Sequence, residues 1–262
     1  MVAQGALSFK YEEEKASSGV TALAGLPIYL DLAFVMDVSG SIERRVKART
    51  RGQGWTDSQM VMSLILLNLA GGDCVDDLRI LENDDGLCRV LRRVETQLLP
   101  RPQRRALVRR WRKERRRAVP SPSSARRYLE EFHDEEEEER RKSGSAAFIP
   151  APNEYLRGLY GMNGDVLSFV QRRSPEPVAT VDMDATLVET HKEEALYSYK
   201  KFKAYQPLST YWAEQDLVIH SQFRDGNVPA GYRQLEVFES SLKLLPSGVE
   251  KVQLRTDTAG YE

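Results

Sequence analysis

The chain has 262 residues, is 41% apolar and 29% charged, and carries a net charge of −1, which suits one large domain or two ordinary ones with a real core. Its two cysteines, Cys74 and Cys88, are too few for a disulfide framework or a zinc cluster. The most apolar helical window, residues 60–70, falls far short of the ~20 residues of a membrane span. Glu12, Glu13 and Glu14 stand where a signal peptide would turn apolar, so the sequence reads as soluble and cytoplasmic, with no membrane partner.

Residues 1–140 read as mainly helical. Pro27 suits the first turn of a helix opening at 24–30. Thr56 or Asp57 caps a helix over 58–70 that Gly71-Gly72 ends; it is apolar on almost every side, which places it centrally in a helical core. Residues 76–83 form a short amphipathic helix, and 103–117 a long basic one. Pro120-Ser121-Pro122-Ser123-Ser124 then caps a helix over 125–132. Asp37-Val38-Ser39-Gly40-Ser41 copies the DxSxS metal site of von Willebrand A-type domains, but the helical and charged residues that follow do not build that fold. It reads instead as a helix end and turn.

The near-neutral total hides segregation. Between Arg89 and Arg127 there are 15 basic residues against Glu95 and Glu114, a local 15 − 2 = +13. A charge run is most often a solvated helix face, yet one this dense, interleaved with Leu107, Val108 and Trp111, can neutralise many phosphates. The run Glu135 to Glu139 beside it is read as balancing it in the folded protein.

Residues 141–177 form a junction. Residues 142–145 are loop-like, 153–173 helical with interruptions at Gly158, Gly161 and Gly164, and Pro175 and Pro177 mark a boundary. Strands follow at 178–184, 208–214 and 217–223, then a turn at Asp225-Gly226-Asn227, a helix over 232–245 and a strand from Val249. This strand, strand, strand, helix, strand order implies an antiparallel start to a sheet.

Asp182-Met183-Asp184-Ala185-Thr186 ends the first of these strands and admits three readings. It matches the DxDxT loop of haloacid-dehalogenase-type phosphatases, it fits the first metal-binding carboxylate of a polynucleotidyl transferase, and it fits a polar turn after a buried strand. The antiparallel start argues against the phosphatase. After it, His191, Lys192, Tyr197, Tyr199, Lys200, Lys201, Phe202, Lys203 and Tyr205 mix cations and aromatics, a pattern that can stack bases and hold phosphates or form an amphipathic hairpin.

Over about residues 20–262 these features resemble the insertion-sequence transposases of the DDE superfamily, most closely the group numbered thirteen-eighty. The resemblance rests on Gly54-Trp55-Thr56-Asp57-Ser58-Gln59-Met60, Leu67-Asn68-Leu69-Ala70-Gly71-Gly72-Asp73-Cys74-Val75-Asp76-Asp77-Leu78, Pro120-Ser121-Pro122-Ser123 and Phe132-His133-Asp134. It continues through Asp182-Met183-Asp184-Ala185-Thr186, Tyr205-Gln206-Pro207-Leu208, Phe223-Arg224-Asp225-Gly226-Asn227 and Leu254-Arg255-Thr256-Asp257-Thr258-Ala259-Gly260-Tyr261.

The resemblance implies an α plus α/β chain: a helical DNA-binding region over 1–140, the junction over 141–177, and the first half of an RNase H-like catalytic domain over 178–262. It assigns Asp184 and Asp257 as catalytic and metal-binding carboxylates for a two-metal Mg²⁺ site, with Asp182 the less suited of the first pair. Double-stranded DNA at transposon ends is the implied partner, and self-association is admitted. The phosphate contacts would come from Arg104, Arg105, Arg109, Arg110, Arg112, Lys113, Arg115, Arg116 and Arg117, with Lys200, Lys201 and Lys203 near the metals. The family's third acid, a Glu further downstream, has no counterpart before Glu262, so the expectation is an incomplete triad, inactive alone. It also leaves apolar faces at Val181, Leu217, Val218, Ile219, Val252 and Leu254 partly exposed. The alternative is a noncatalytic DNA-binding fragment that regulates transposition.

Overall fold

The computed structural model describes residues 19–49, 54–97, 99–114, 117–143 and 147–256. Among these, nine α-helices precede the first strand and a mixed four-stranded sheet with helices follows, an α plus α/β arrangement. None of the helices is long and apolar enough to cross a membrane. The chain forms two compact units, one taking the described residues up to Leu32 and those from Met62 to Ala125, the other those from Ala33 to Val61 and from Arg126 onward.

In the first unit, leucines supply the core. Leu26 and Leu30 of α1 (Leu26–Val35), Leu66 and Leu67 of α3 (Asp57–Leu69), and Leu78 and Leu81 of α4 (Leu78–Asn83) pack together with Leu87, Val119 and Ala125. The ends of α3 follow from its sequence. Thr56 and Gln59 exchange side-chain bonds with each other's amides at 3.0 and 3.2 Å, a capping box. At the other end Gly71 takes φ +79°, and the amides of Gly72 and Gly71 reach the carbonyls of Leu67 and Asn68, the pairing of a Schellman turn.

The expected helix over 76–83 is a 3-10 turn at Val75–Asp77 followed by α4. A helix not anticipated, α5 (Asp85–Thr96), starts at Asp84, whose carboxylate takes the Leu87 amide at 2.8 Å and the Thr21 hydroxyl at 2.8 Å. The basic helix α6 spans Arg101–Glu114 among the described residues and starts two residues before the expected 103. Ser121 caps α7 (Pro122–Glu130) through the Ser124 amide.

In the second unit, α2 (Val38–Arg45) crosses α9 (Glu154–Arg173). The expected interruptions of α9 are absent. A Cβ on Gly158 would lie 2.4 Å from the Arg45 carbonyl oxygen, and one on Gly161 would lie 2.7 Å from the Arg45 guanidinium. These glycines let α2 approach; they do not break the helix. Asp165 locks the crossing, accepting Ser41 Oγ at 2.5 Å and both Arg45 Nε and Nη2 at 2.8 and 2.7 Å. The charged run 135–143, expected to be loop-like from Lys142, is a helix, α8 (Glu135–Ser143). Asp134 caps its start through the amides of Glu136 and Glu137, and its glutamates lead while its cations trail, as the helix dipole favours.

The sheet runs β5-β4-β1-β6, formed by β1 (Val178–Ala185), β4 (Leu208–Trp212), β5 (Leu217–Gln222) and β6 (Lys251–Thr256). β1 is antiparallel to β4 and parallel to β6, so the antiparallel start is present. β2 (Val188–Glu189) and β3 (Ala204–Tyr205) form a separate two-stranded pair, and α10 (Gln234–Leu244) lies between β5 and β6 in the chain. One sheet face packs on helices: Ala179, Val181, Trp212 and Ile219 meet Leu167 of α9, with Phe238 and Leu244 of α10 beside them. Val181 and Ile219 are therefore fully buried, not partly exposed, because α9 and α10 cover the middle of that face. Val218, Val252 and Leu254 remain 40–49% exposed. On β5, Asn163 Nδ2 donates to the carbonyls of Val218 and Ile219 and satisfies part of an edge.

The hydrogen bond from Arg45, more than Ser41, holds the Asp165 carboxyl below its ordinary range despite burial. Asp165→Asn is expected to lower unfolding free energy by about 1 kcal/mol at neutral pH. The native carboxyl lies below its unfolded value, so this contribution is complete above pH 3.8 and vanishes as pH falls through the lower folded value. Urea unfolding at pH 7 and in acid checks it; a difference that persists undiminished in strong acid would show another origin.

Candidate functional site

β1 alternates strictly. Ala179, Val181 and Met183 are buried, while Thr180, Asp182 and Asp184 point to the other face. Two of these three outward positions are occupied by partners. Thr180 donates its amide to Glu214 at 2.8 Å, and its hydroxyl also bonds that carboxylate. Burial alone would raise the Glu214 carboxyl, but the Thr180 bonds outweigh it and bring it below its ordinary range. Arg255 forks onto both oxygens of Asp182 from the neighbouring strand, and that bond raises the guanidinium above its usual value.

Asp184 differs. It is exposed and accepts only the Thr186 hydroxyl, at 3.4 Å, with no cation beside it among the described residues. Its rung continues through Ser209 and Ser221, whose hydroxyls bond each other at 2.9 Å. Because β1 and β6 are parallel neighbours, their C-terminal ends share one rim, and their last registered pair is Met183 with Thr256. Asp184 and Asp257 are each the next residue in sequence, and Asp257 lies outside the described residues.

A hard divalent cation takes oxygen ligands, and Asp184 fits as one: an anion on a backbone-bonded strand, not neutralised. Asp182 fits poorly, since its charge is already matched by Arg255. Among the described residues no group of three or more His, Cys, Asp or Glu is gathered for a metal.

The basic residues fall into two sets. Arg104, Arg105 and Arg109 are exposed on α6, with Arg104 also reaching the Leu99 carbonyl at 3.3 Å. Arg110, Arg112 and Lys113 belong to the same helix. Arg115 and Arg116 lie outside the described residues, and Arg117 follows the helix, bonding the Val119 carbonyl. In the second set, Lys200 and Lys201 are exposed in a turn where Lys201 takes φ +67°. Lys203 is half-buried and its ammonium is tied to the Glu193 carbonyl at 2.7 Å. Tyr197 and Tyr199 are exposed around buried Ser198, while Tyr205 packs against Phe223 with ring centroids 4.8 Å apart.

Among the described residues the glutamate run does not stand as a patch of one sign. Glu136, Glu137 and Glu138 pair within α8 with Arg140, Arg141 and Lys142, because those residues recur at i+3 and i+4. Nor does the DxSxS copy gather ligands: Asp37 pairs with Arg44, and Ser41 is bound to Asp165.

One cluster escaped the sequence reading. Arg141 Nε meets Asp225 Oδ2 at 2.6 Å and Arg141 Nη2 meets the Glu194 carbonyl at 2.7 Å, so α8 is pinned to the turn after β5. That turn fits closely beneath β3: Asp225 bridges to Tyr205, the Gln206 amide meets the Arg224 carbonyl at 2.9 Å, and a Cβ on Gly226 would lie 2.4 Å from the Ala204 oxygen. Two of the sequence blocks quoted above, 205–208 and 223–227, thus come together. Only their content of Tyr, Asp and Gly hinted at it.

No protein-family model matches the chain, and neither a curated protein nor a solved structure does.

The Asp225 side chain is 3% exposed and that of Arg141 16%. Bonding to Asp225 raises the Arg141 guanidinium above its ordinary value. Asp225→Asn removes the most buried partner of that cation and leaves it Glu138 at 3.1 Å and the Glu194 carbonyl, and the expected loss of stability is about 2 kcal/mol. Joint replacement Arg141→Met with Asp225→Leu should recover most of it. Chemical denaturation of the three proteins checks this; a cost well under 1 kcal/mol in the single variant would mean that water already serves the guanidinium.

Proposed function

We propose that this protein is a transposase of the DDE superfamily, acting in metal-dependent cleavage and transfer of DNA strands at the ends of an insertion sequence. The observation that carries the reading is Asp184: a carboxylate without a cation among the described residues, at the end of an interior strand, one residue past the register that leads β6 to Asp257. The sheet supports it as well. Three antiparallel strands, a helix and a strand returning parallel to the first are what the opening half of an RNase H-like domain requires, and β1, β4, β5, α10 and β6 follow that order.

In this reading Asp184 and Asp257 hold Mg²⁺. Held by these carboxylates, Mg²⁺ would supply Lewis-acid activation of a water or 3′-hydroxyl and charge compensation at the leaving oxygen of an in-line displacement at phosphorus. Asp182, held by Arg255, keeps its neighbour strand in register and stays out of the metal site. Arg104, Arg105, Arg109, Arg110, Arg112, Lys113, Arg115, Arg116 and Arg117 hold the phosphates of double-stranded DNA. Lys200 and Lys201 add contacts near the carboxylates, and Lys203 braces their turn through the Glu193 carbonyl.

Two measurements test it together. Mn²⁺ titration is expected to show binding that Asp184→Asn abolishes and Asp182→Asn largely keeps. Replacing Arg104, Arg105 and Arg109 with Ala should lower the slope of log affinity against log salt for duplex DNA by roughly three, near 0.9 per lost phosphate contact. Equal loss of Mn²⁺ in both aspartate variants, or an unchanged slope, would remove the basis of the reading.

A further inference from the structure

The hairpin between β1 and β4 holds two tyrosines that its own packing does not use. β2 and β3 pair through Val188 with Tyr205 and Glu189 with Ala204, and Tyr197 bridges Lys203 beyond them. The inner side is filled by other residues. Ala195 and Ala204 are buried, Tyr205 packs on Phe223, and Gly226 fits close against the carbonyls of Ala204 and Leu196. Tyr197 and Tyr199 stand outside this packing. They are 65% and 72% exposed, more than any other described tyrosine, and neither hydroxyl is hydrogen-bonded among the described residues. We propose that Tyr197 and Tyr199 form a stacking platform for the unpaired bases of single-stranded DNA, with Lys200 and Lys201 on its phosphates.

The tip that presents them is a tight turn. The Lys201 amide reaches the Ser198 carbonyl at 2.9 Å, and the Ser198 amide reaches the Phe202 carbonyl at 2.8 Å. Lys201 takes φ +67° there, where glycine is favoured, so the chain holds a cation at a position that a smaller residue would occupy more easily. A turn already ordered loses less freedom when a ligand arrives.

Charge selects the partner. Residues 197–203 contain three lysines and no acid. Lys203 is tied to the Glu193 carbonyl, whereas Lys200 and Lys201 have no carboxylate partner among the described residues. Lys200 stands 5.7 Å from the Tyr199 ring centroid, a loose contact on a flexible stem over a ring that remains mostly exposed. Exposed rings beside uncommitted cations suit a strand that offers base faces and phosphates together. A duplex keeps its bases stacked on one another, and would engage the lysines while leaving the rings idle.

The place in the fold agrees. Ser209, the β4 partner of Asp184, is six residues from Lys203, roughly 20 Å at full extension. The choice of DNA rests on the reading of Asp184 given above, since a strand opened at that rim lies within reach of the hairpin.

Fluorescence anisotropy of the full chain in EDTA tests the platform with three probes: oligo-dT, an abasic strand with the same number of phosphates, and a blunt duplex. The parent is expected to bind oligo-dT at least about tenfold tighter than the abasic strand. Tyr197→Ala with Tyr199→Ala should erase that preference, Tyr197→Phe with Tyr199→Phe should keep it, and neither pair should change duplex affinity. Lys200→Gln with Lys201→Gln should keep the preference and lower the salt slope on oligo-dT by about 1.4, near 0.7 for each lost phosphate contact. Because EDTA removes metal, this result stands or falls apart from the Mn²⁺ titration that tests Asp184. The proposal is overturned if the parent binds the abasic strand as tightly as oligo-dT, or if the preference survives the alanine pair. It is equally overturned if the alanine pair weakens duplex binding to the same extent, or if the lysine pair leaves the slope unchanged.

Discussion

β1 is the only strand of the four-stranded sheet bonded in register to two differently directed neighbours, antiparallel β4 over Val181–Ala185 and parallel β6 over Val178–Met183. That double pairing leaves its backbone no freedom, so its side chains must alternate between the faces. The alternation sends Ala179, Val181 and Met183 to the helices and Thr180, Asp182 and Asp184 away from them. A slip of one residue would drive two carboxylates into the core and three apolar groups into water. The acids therefore fix the register from one side as firmly as the apolar residues fix it from the other. Everything placed along the rim, from the Arg255 fork to the hydroxyl pair of Ser209 and Ser221, inherits its position from this strand.

Local chemistry was legible in the sequence wherever a single residue type settles a backbone problem. Thr56 and Ser121 cap helices, Gly71-Gly72 ends one, and the alternating residues of 178–184 form a strand, each for reasons confined to a few neighbours. What could not be read were decisions made across long stretches of chain. Gly158 looks like a helix breaker until the Arg45 carbonyl, far away in sequence, occupies the space its Cβ would need. In the glutamate run, helical spacing brings Glu136, Glu137 and Glu138 against Arg140, Arg141 and Lys142 of the same helix. α5 was hidden because a dense charge run draws attention away from the cap at Asp84 that starts a helix.

The candidate site divides the same way. The choice of Asp184 over Asp182 came from the resemblance, and no property of the two aspartates in sequence separates them physically. Arg255, 73 positions away, is what separates them, by neutralising one and leaving the other. The Asp225 partner Arg141 is 84 positions distant. Asp257, Arg115 and Arg116 lie outside the described residues, so the pairing of the two rim carboxylates is a reading of register and not of observed side chains.

Charge placement in this protein follows burial, which decides how much an uncompensated group means. Arg141 is mostly buried and has Asp225. Arg224 is fully buried with no carboxylate bonded to it among the described residues; Gln222 and the carbonyls of Pro229 and Ala230 serve it, and Glu236 attracts it from further off. Burial, with Arg233 nearby adding repulsion, brings Arg224 down to about 10. Asp184 is exposed, so water solvates it and being unpaired costs little. Exposure alone therefore does not make it a site; surface aspartates are common. What separates Asp184 from them is the combination of freedom from any cation among the described residues with a backbone paired to Ser209 one residue beyond the last β1–β6 pair. Its carboxylate can change partners while the pairing with β4 holds its backbone, and those are the two properties that a ligand to a reacting centre must combine.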